Sequence, residues 1–497
     1  MREPALPQPD AETPGVLALV TRLAPLLLLA VTTGAAILRV FDLGDKSLWF
    51  DEAVLYWIAD GSPGEVLEEN AARNSAPPLF ALLLSGIMRF GATEATLRLI
   101  SCAAGIAVIP AVYALARRYM AAPWALFGAL LVALSPEQVA FSQQVREYSL
   151  TVLLSVLLLL ATQAFLDRPG TRQTLALGIV TTVALLTQYG LALLLAALGL
   201  VSLIVLARSR PPREVWLRWA GVQAVGLATV AAVIAPGLRR QLEIGMGGVL
   251  IRASYLEGGY WDRSLASLPH LVVTRSALLS DLAFPGPLFG FLWLVGIAAA
   301  ARGGRSRMAL SLFIVPVAVT LAAALVHVYP YTGYRQVLFL TPMFYVMAAT
   351  GAAALGSLTF PWQRAAIGGL ILAAQALVAL RTYYWADGPE ALRPLVAELL
   401  ERRQPADDIY VTYRSSPAFT YYLRQNPLPH HSGVHLGGDP APGMAQLDSL
   451  LASPTRIWLV FSDSMADRRQ LLLSRVRVPR RIQLVREFGP SSLHLVE

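Results

Sequence analysis

Apolar runs of membrane-crossing length recur along most of this chain, and no other feature limits its fold so strongly. They fall near residues 17–40, 97–116, 121–141, 149–166, 174–188, 190–207, 217–238, 286–301, 308–328, 336–358 and 365–383. A hydrocarbon layer about 30 Å thick takes about 20 apolar residues in a helix, and a helix satisfies its own backbone groups there. The expectation is a polytopic α-helical membrane protein with about eleven transmembrane helices. Composition agrees: 56% of the 497 residues are hydrophobic and 14% are charged, against about a quarter charged in soluble domains.

Positive charge is carried almost wholly by arginine, with Lys46 the single lysine. Topology accounts for the net charge of +8 before any nucleic-acid partner, and none is expected. Take the N-terminus as inside and leave the short run 77–88 uncrossed. The inner loops then hold Arg117 and Arg118; Arg168 and Arg172; Arg208, Arg210 and Arg213; Arg302, Arg305 and Arg307; and Arg364. That is the positive-inside pattern, so 77–88 is expected to be a re-entrant or juxtamembrane helix. Residues 1–16, acidic and proline-containing, read as a disordered cytoplasmic tail before an uncleaved first span.

Four polar, aromatic segments then share the outer face: the 41–96 loop, FSQQVREY (141–148), the 239–285 loop and YPYTGYR (329–335). Residues 17–385 form the expected membrane domain. The region 386–497 alternates short β-like runs (408–413, 456–462, 481–488, 492–497) with helical stretches such as 393–403. It reads as a small extracytoplasmic α/β domain, with neither a GxGxxG nor a GKS/T fingerprint. The one cysteine, Cys102, forms no internal disulfide, and no CxxC or HxxxH set appears. A divalent metal is compatible with this sequence and not required by it.

In SLWFDEAVLYW (47–57), Asp51 and Glu52 stand among Trp49, Phe50, Tyr56 and Trp57. Acids beside a bilayer are costly unless they face water, a partner or a substrate. Asp51 suits a general base or a cation ligand; the plainer alternative is a solvated loop acid within an aromatic belt. Glu52 also suits the N-terminus of the helix that follows. Ser135 and Pro136 break a helix ahead of Gln143, Arg146, Glu147 and Tyr148, which read either as a local ion pair or as a polar site at the membrane surface. Arg335 reads as a snorkelling anchor or as a fork for a lipid phosphate. Arg98 reads as snorkelling or structural. The 239–285 loop, with Gly245, Gly247, Gly248, Arg252, Tyr260, Trp261, Asp262 and Arg263, is long for a plain connector. The alternative there is an amphipathic helix on the membrane.

WFDEA (49–53), APPLFALL (76–83), ATLRLISCAAGIAVIPAVYALARRY (95–119), SPEQVAFSQQVREYSL (135–150) and GYRQVLFLTP (333–342) together resemble the GT-C membrane glycosyltransferases. More narrowly, they resemble the bacterial group related to protein mannosyltransferases and aminoarabinose transferases. The resemblance implies transfer of a sugar from a polyprenyl-phosphate donor to a lipid, glycan or protein acceptor at the outer face, among membrane lipids. By it Asp51 matches an acid that activates the acceptor or binds a metal, and Glu52 its neighbour. Arg146 and Tyr148 match a motif near the donor, and Arg335 a base that meets the carrier phosphate. Pro77 and Pro78 match a proline pair preceded in relatives by His or Lys; Arg73 is the stand-in here. The residues at 260–263 are expected to line substrate. A transporter or flippase of lipid-linked sugars is the competing reading, and it predicts mid-membrane charges, broken helices and internal repeats.

Overall fold

The computed structural model describes residues 15–74, 76–243, 254–302, 304–357, 362–385, 388, 390–433, 441–462, 466–476 and 480–497. Most of the tail expected over 1–16, and Gly245, Gly247, Gly248 and Arg252, lie outside the described residues. The chain forms two compact units. One runs to Phe41 and includes Leu67–Leu83 and Leu99–Arg381; the other comprises Asp42–Val66, Leu84–Arg98 and Thr382–Glu497.

The first helices are α1 (Gly15–Val40), α2 (Phe50–Ala59), α3 (Pro63–Arg73), α4 (Leu79–Met88), α5 (Glu94–Ala116) and α6 (Ala122–Leu134). They are followed by α7 (Pro136–Ser142), α8 (Tyr148–Asp167), α9 (Thr171–Leu185), α10 (Leu191–Ser209) and α11 (Arg213–Thr229). Among the described residues six helices are long and apolar enough to cross a membrane, or eight if each of two bent pairs is one span. That is a multi-pass membrane protein, with fewer clear spans than the eleven apolar runs. The α4 helix has ten residues, about 15 Å of rise, half a hydrocarbon layer.

The bent pairs are α6 with α7, at 58°, and Leu265–Ala283 with Pro287–Arg302, at 110°. Pro136 lacks an N–H, so the last carbonyls of α6 need other donors. The buried guanidinium of Arg39 supplies them, 3.1 Å from Val132 O and 3.1 Å from Ala133 O. At the second break the Ala283 carbonyl accepts from Ser135 Oγ at 2.7 Å and from the Tyr345 hydroxyl. Broken helices are what the transporter reading expected; here the carbonyls of Val132, Ala133 and Ala283 are met by side chains of the protein. The sequence places 239–285 in a loop; over Leu265–Ala283 it is helical.

Pro287–Arg302 and Thr341–Ser357 pack backbone to backbone. A Cβ on Gly296 would lie 1.8 Å from Met347 O, and one on Gly351 1.9 Å from Leu292 O. Small residues permit this approach in membranes, and Trp293 stacks on Phe344 at 4.7 Å along the same seam.

The second unit carries a five-stranded sheet ordered β2-β1-β3-β5-β4. Its strands are β1 (Asp408–Val411), β2 (His431–Ser432), β3 (Ile457–Phe461), β4 (Ile482–Phe488) and β5 (Ser491–Val496). β1 pairs parallel with β2 and β3; β5 pairs antiparallel with β3 and β4. All five residues of β3 are buried, as a central strand requires. The four runs read as strands form strands, and the expected helix is Leu392–Arg402. The two-residue edge strand β2 was too short to signal itself.

Candidate active site

In the second unit the segment before Asp51 is held by a bond at nearly every residue. Ser47 Oγ accepts from Arg393 N–H at 3.1 Å, and Leu48 N–H donates to the Tyr422 hydroxyl at 2.7 Å. Trp49 N–H donates to Glu52 Oε2 at 3.3 Å, and Phe50 N–H to Glu390 Oε2 at 2.8 Å. The opening N–H groups of a helix lack partners inside it; α2 finds them in two glutamates.

Glu52 is buried and ion-paired with Arg98 at 3.0 Å. Arg98 is buried too and does not snorkel. Its Nε and Nη2 hold the two Glu52 oxygens, and its remaining donors reach the carbonyls of Leu43, Lys46 and Ser47. Glu52 therefore braces the turn, while Asp51 is half-buried beside it. No motif or periodicity singles out Glu390 in the sequence. Its signal is an acid in the stretch GPEALRP (388–394), between the last apolar run and the α/β region. Burial pushes its carboxyl up to about 8, with the Asp51 charge adding and Arg414, the Phe50 N–H and Ser462 opposing. Lys46 is pushed down to about 8 by burial and by Arg98; it sits 3.5 Å above the Tyr383 ring.

The first unit brings Arg146, Tyr148 and Arg335 together. Tyr148 opens α8, and Glu147 precedes it as N-cap. The guanidinium carbon of Arg146 lies 5.4 Å from the Tyr148 ring centroid, and that of Arg335 lies 6.0 Å from it. Arg146 also pairs with Glu147 at 3.4 Å. Arg335 begins a 3-10 turn, Arg335–Leu340, that leads into Thr341–Ser357. Two cations thus share one aromatic ring. Arg73 ends α3 and is exposed, paired with Glu69 at 3.1 Å.

The 260–263 segment packs on the 323–331 stretch of the same unit. Tyr260 stacks on His327 at 5.6 Å, and Tyr331 N–H donates to Gly259 O at 2.8 Å. The indole N–H of Trp261 donates to Ser264 O at 2.8 Å. Asp262 accepts from Ser264 N–H and the Ser267 hydroxyl, which hold its carboxyl below the usual range. Arg263 takes a positive φ of 68°, so this is a tight polar turn. Burial raises the Tyr329 hydroxyl, with Tyr260 and Glu147 adding, so the turn and the Arg146–Glu147 pair share a neighbour.

A cavity of 390 Å³ in the second unit is lined by Tyr56, Trp57, Asp60, Leu423, Arg424 and His430, among others. Its polar groups are largely committed: the Trp57 indole to Pro417 O, Arg424 to Tyr421 O and Ala92 O, His430 Nδ1 to Leu428 O. Among the described residues no group of three or more His, Cys, Asp or Glu stands ready to hold a metal.

Residues 75–238 match the family model described as dolichyl-phosphate-mannose-protein mannosyltransferase. Among curated proteins nothing matches. The chain is similar to ArnT from Cupriavidus metallidurans in the apo state, at 16% identity over 95% of this chain and 97% of that one, with a TM-score of 0.55. It is similar to the same protein bound to undecaprenyl phosphate, at 16% identity, the same coverage and a TM-score of 0.53. The oligosaccharyltransferase AglB from Archaeoglobus fulgidus, in complex with an inhibitory peptide and a dolichol-phosphate, gives 13% identity, 93% and 69% coverage and a TM-score of 0.53. The chain has the GT-C fold. The family match takes in Arg146 and Tyr148, and stops short of Asp51 and Arg335 at either side.

Proposed function

We propose that this protein is a glycosyltransferase that moves a sugar from a polyprenyl-phosphate donor to a lipid, glycan or protein acceptor. The site lies at the extracytoplasmic face of a bacterial inner membrane. The observation that carries the reading is the meeting of Arg146 and Arg335 on the Tyr148 ring, in a chain with the GT-C fold. Guanidinium stays charged and presents paired donors, which suits a lipid phosphate at headgroup depth. Support comes from the relatives whose structures hold undecaprenyl phosphate and dolichol-phosphate.

Asp51 is the candidate base. It takes the proton of the acceptor hydroxyl or amine as that atom bonds to the anomeric carbon. The bond from that carbon to the phosphate oxygen breaks, and polyprenyl phosphate leaves with the electron pair. Arg146 and Arg335 steady the charge gained by the leaving group, with Tyr148 holding both; Arg73 is a further candidate contact. Glu52 acts through Arg98 to hold the Asp51 turn, and Tyr260, Trp261, Asp262 and Arg263 are candidate substrate contacts. One in-line displacement inverts the anomeric centre.

The test uses purified protein in nanodiscs with radiolabelled undecaprenyl-phosphate sugars. Wild type should transfer or release sugar, and folded Asp51→Asn should lose about 10²–10⁴-fold in kcat. A product that retains configuration overturns the single displacement. Flipping of the same lipids without sugar release would establish the transporter instead.

A further inference from the structure

We propose that Glu390 is a positioning residue for this reaction, fixing the first turn of α2 by accepting the Phe50 N–H and so setting where Asp51 stands. The inference rests on the reading of Asp51 as the acceptor base. Phe50 immediately precedes Asp51, and its N–H reaches a carboxylate 340 positions along the chain, at 2.8 Å. A local cap such as Ser or Asp at position 49 satisfies a helix start without long-range help. Trp49 fills that position instead; Glu52 Oε2 takes the Trp49 N–H at 3.3 Å, and the Phe50 N–H goes to Glu390.

The surroundings of Glu390 clamp the same residue from two sides. Arg414 approaches the Glu390 carboxylate at 3.8 Å, and its guanidinium carbon lies 5.1 Å from the Phe50 ring centroid. Ser462, the residue after β3, donates to Glu390 Oε2 at 3.3 Å. Phe50 is thereby tied by its N–H to an acid anchored on the sheet, and by its ring to that acid's cation. A buried acid is a costly way to cap a helix. What it adds over a local cap is a link from the Asp51 turn to a rigid sheet. A misplacement of about 1 Å at a reacting group costs on the order of 10²-fold in rate, which makes such a link useful to a base. The raised proton affinity of Glu390, to which Asp51 contributes, places the two acids within each other's field.

The experiment compares full-length wild type, E390Q, E390A, D51N and D51N/E390A in nanodiscs, with the undecaprenyl-phosphate sugar panel as donor. Gln keeps an acceptor oxygen for the Phe50 N–H; Ala keeps none. E390A should lower kcat about 10- to 100-fold with donor KM within about twofold, and E390Q should stay within about threefold of wild type. In the D51N background E390A should cost less than about twofold more, because both changes act through one group. Amide exchange of the peptide 48–54 should rise about tenfold in E390A and return to near wild type in E390Q. Folded E390A with wild-type kcat and exchange, beside an inactive D51N, overturns this proposal alone. So does an E390Q as impaired as E390A, or a full additional loss in the D51N background. D51N at wild-type activity overturns the base reading and the catalytic part of this one with it. If no donor in the panel turns over, exchange decides: unchanged protection in E390A overturns the anchor, and a loss restored by Gln supports it.

Discussion

Arg98 spends every donor it has inside the protein, two on Glu52 and three on carbonyls. Removing one member of a buried pair strands the other, at about 3–5 kcal/mol. Arg98→Ala should therefore lower the thermal midpoint in detergent sharply. Arg73→Ala, at an exposed pair with Glu69, should shift stability by under about 1 kcal/mol; equal shifts would refute the contrast. From sequence Arg98 was snorkelling or structural, and Glu52 catalytic or a helix-start acid. The residue types were legible, but not which arginine meets which acid. Glu390 offers a pH test. Its carboxyl rises from an ordinary 4.5 to about 8, so between those values the folded state holds a proton that the unfolded chain releases. That stabilisation is complete below the unfolded value and lost as pH rises through about 8. Asp51 and Arg414 are the charged groups that bear on it. Wild type should lose more thermal stability than E390Q between about pH 6 and pH 9, and parallel losses would contradict the assignment.

Helices in this fold are set as much by where they stop as by where they run. The Ser135–Pro136 stop was readable, because proline removes a donor whatever surrounds it. That Arg39 closes the exposed carbonyls was not readable, since α1 and α6 meet only in three dimensions. The helix Arg275–Ala283 was also hidden: RSALLSDLA is too polar to register as an apolar run. The seam between Pro287–Arg302 and Thr341–Ser357 is likewise invisible in the sequence, where Gly296 and Gly351 look like ordinary glycines. Gly351→Val would put a Cβ 1.9 Å from Leu292 O and force the helices apart, at about 1–3 kcal/mol or more. Gly369→Ala, with nothing within 4 Å of its Cβ, should be neutral or stabilising by up to about 1 kcal/mol. Thermal midpoints of the two variants in the same detergent separate a packing requirement from a general intolerance of glycine replacement.

For the molecule as a whole, chain order misleads in one respect and informs in another. The loop 41–96 belongs by order to the membrane domain, yet Asp42–Val66 and Leu84–Arg98 cluster with Thr382–Glu497; partners 340 positions apart leave no periodic trace. Within the membrane unit, the arginine-bearing turns that carry the expected orientation can be located. Arg118 pairs with Asp167 at 2.8 Å, and Arg218 donates to Pro169 O, so the turns after α5 and α8 and the start of α11 gather at one end. The Arg146–Tyr148–Arg335 group stands at the opposite end of α8, whose 20 residues span about 30 Å, one hydrocarbon thickness. If arginine-rich turns face the cytoplasm, the candidate phosphate group faces out. Cys102 is buried, and replacing it by alanine gives a clean background for single cysteines. In that background Tyr334→Cys, at an exposed position beside Arg335, should react with a membrane-impermeant maleimide on intact cells. Arg168→Cys, at the exposed end of α8, should react only after permeabilisation. The reverse pattern would turn the molecule over and put the arginine pair on the cytoplasmic side, where a donor presented from outside could not meet it.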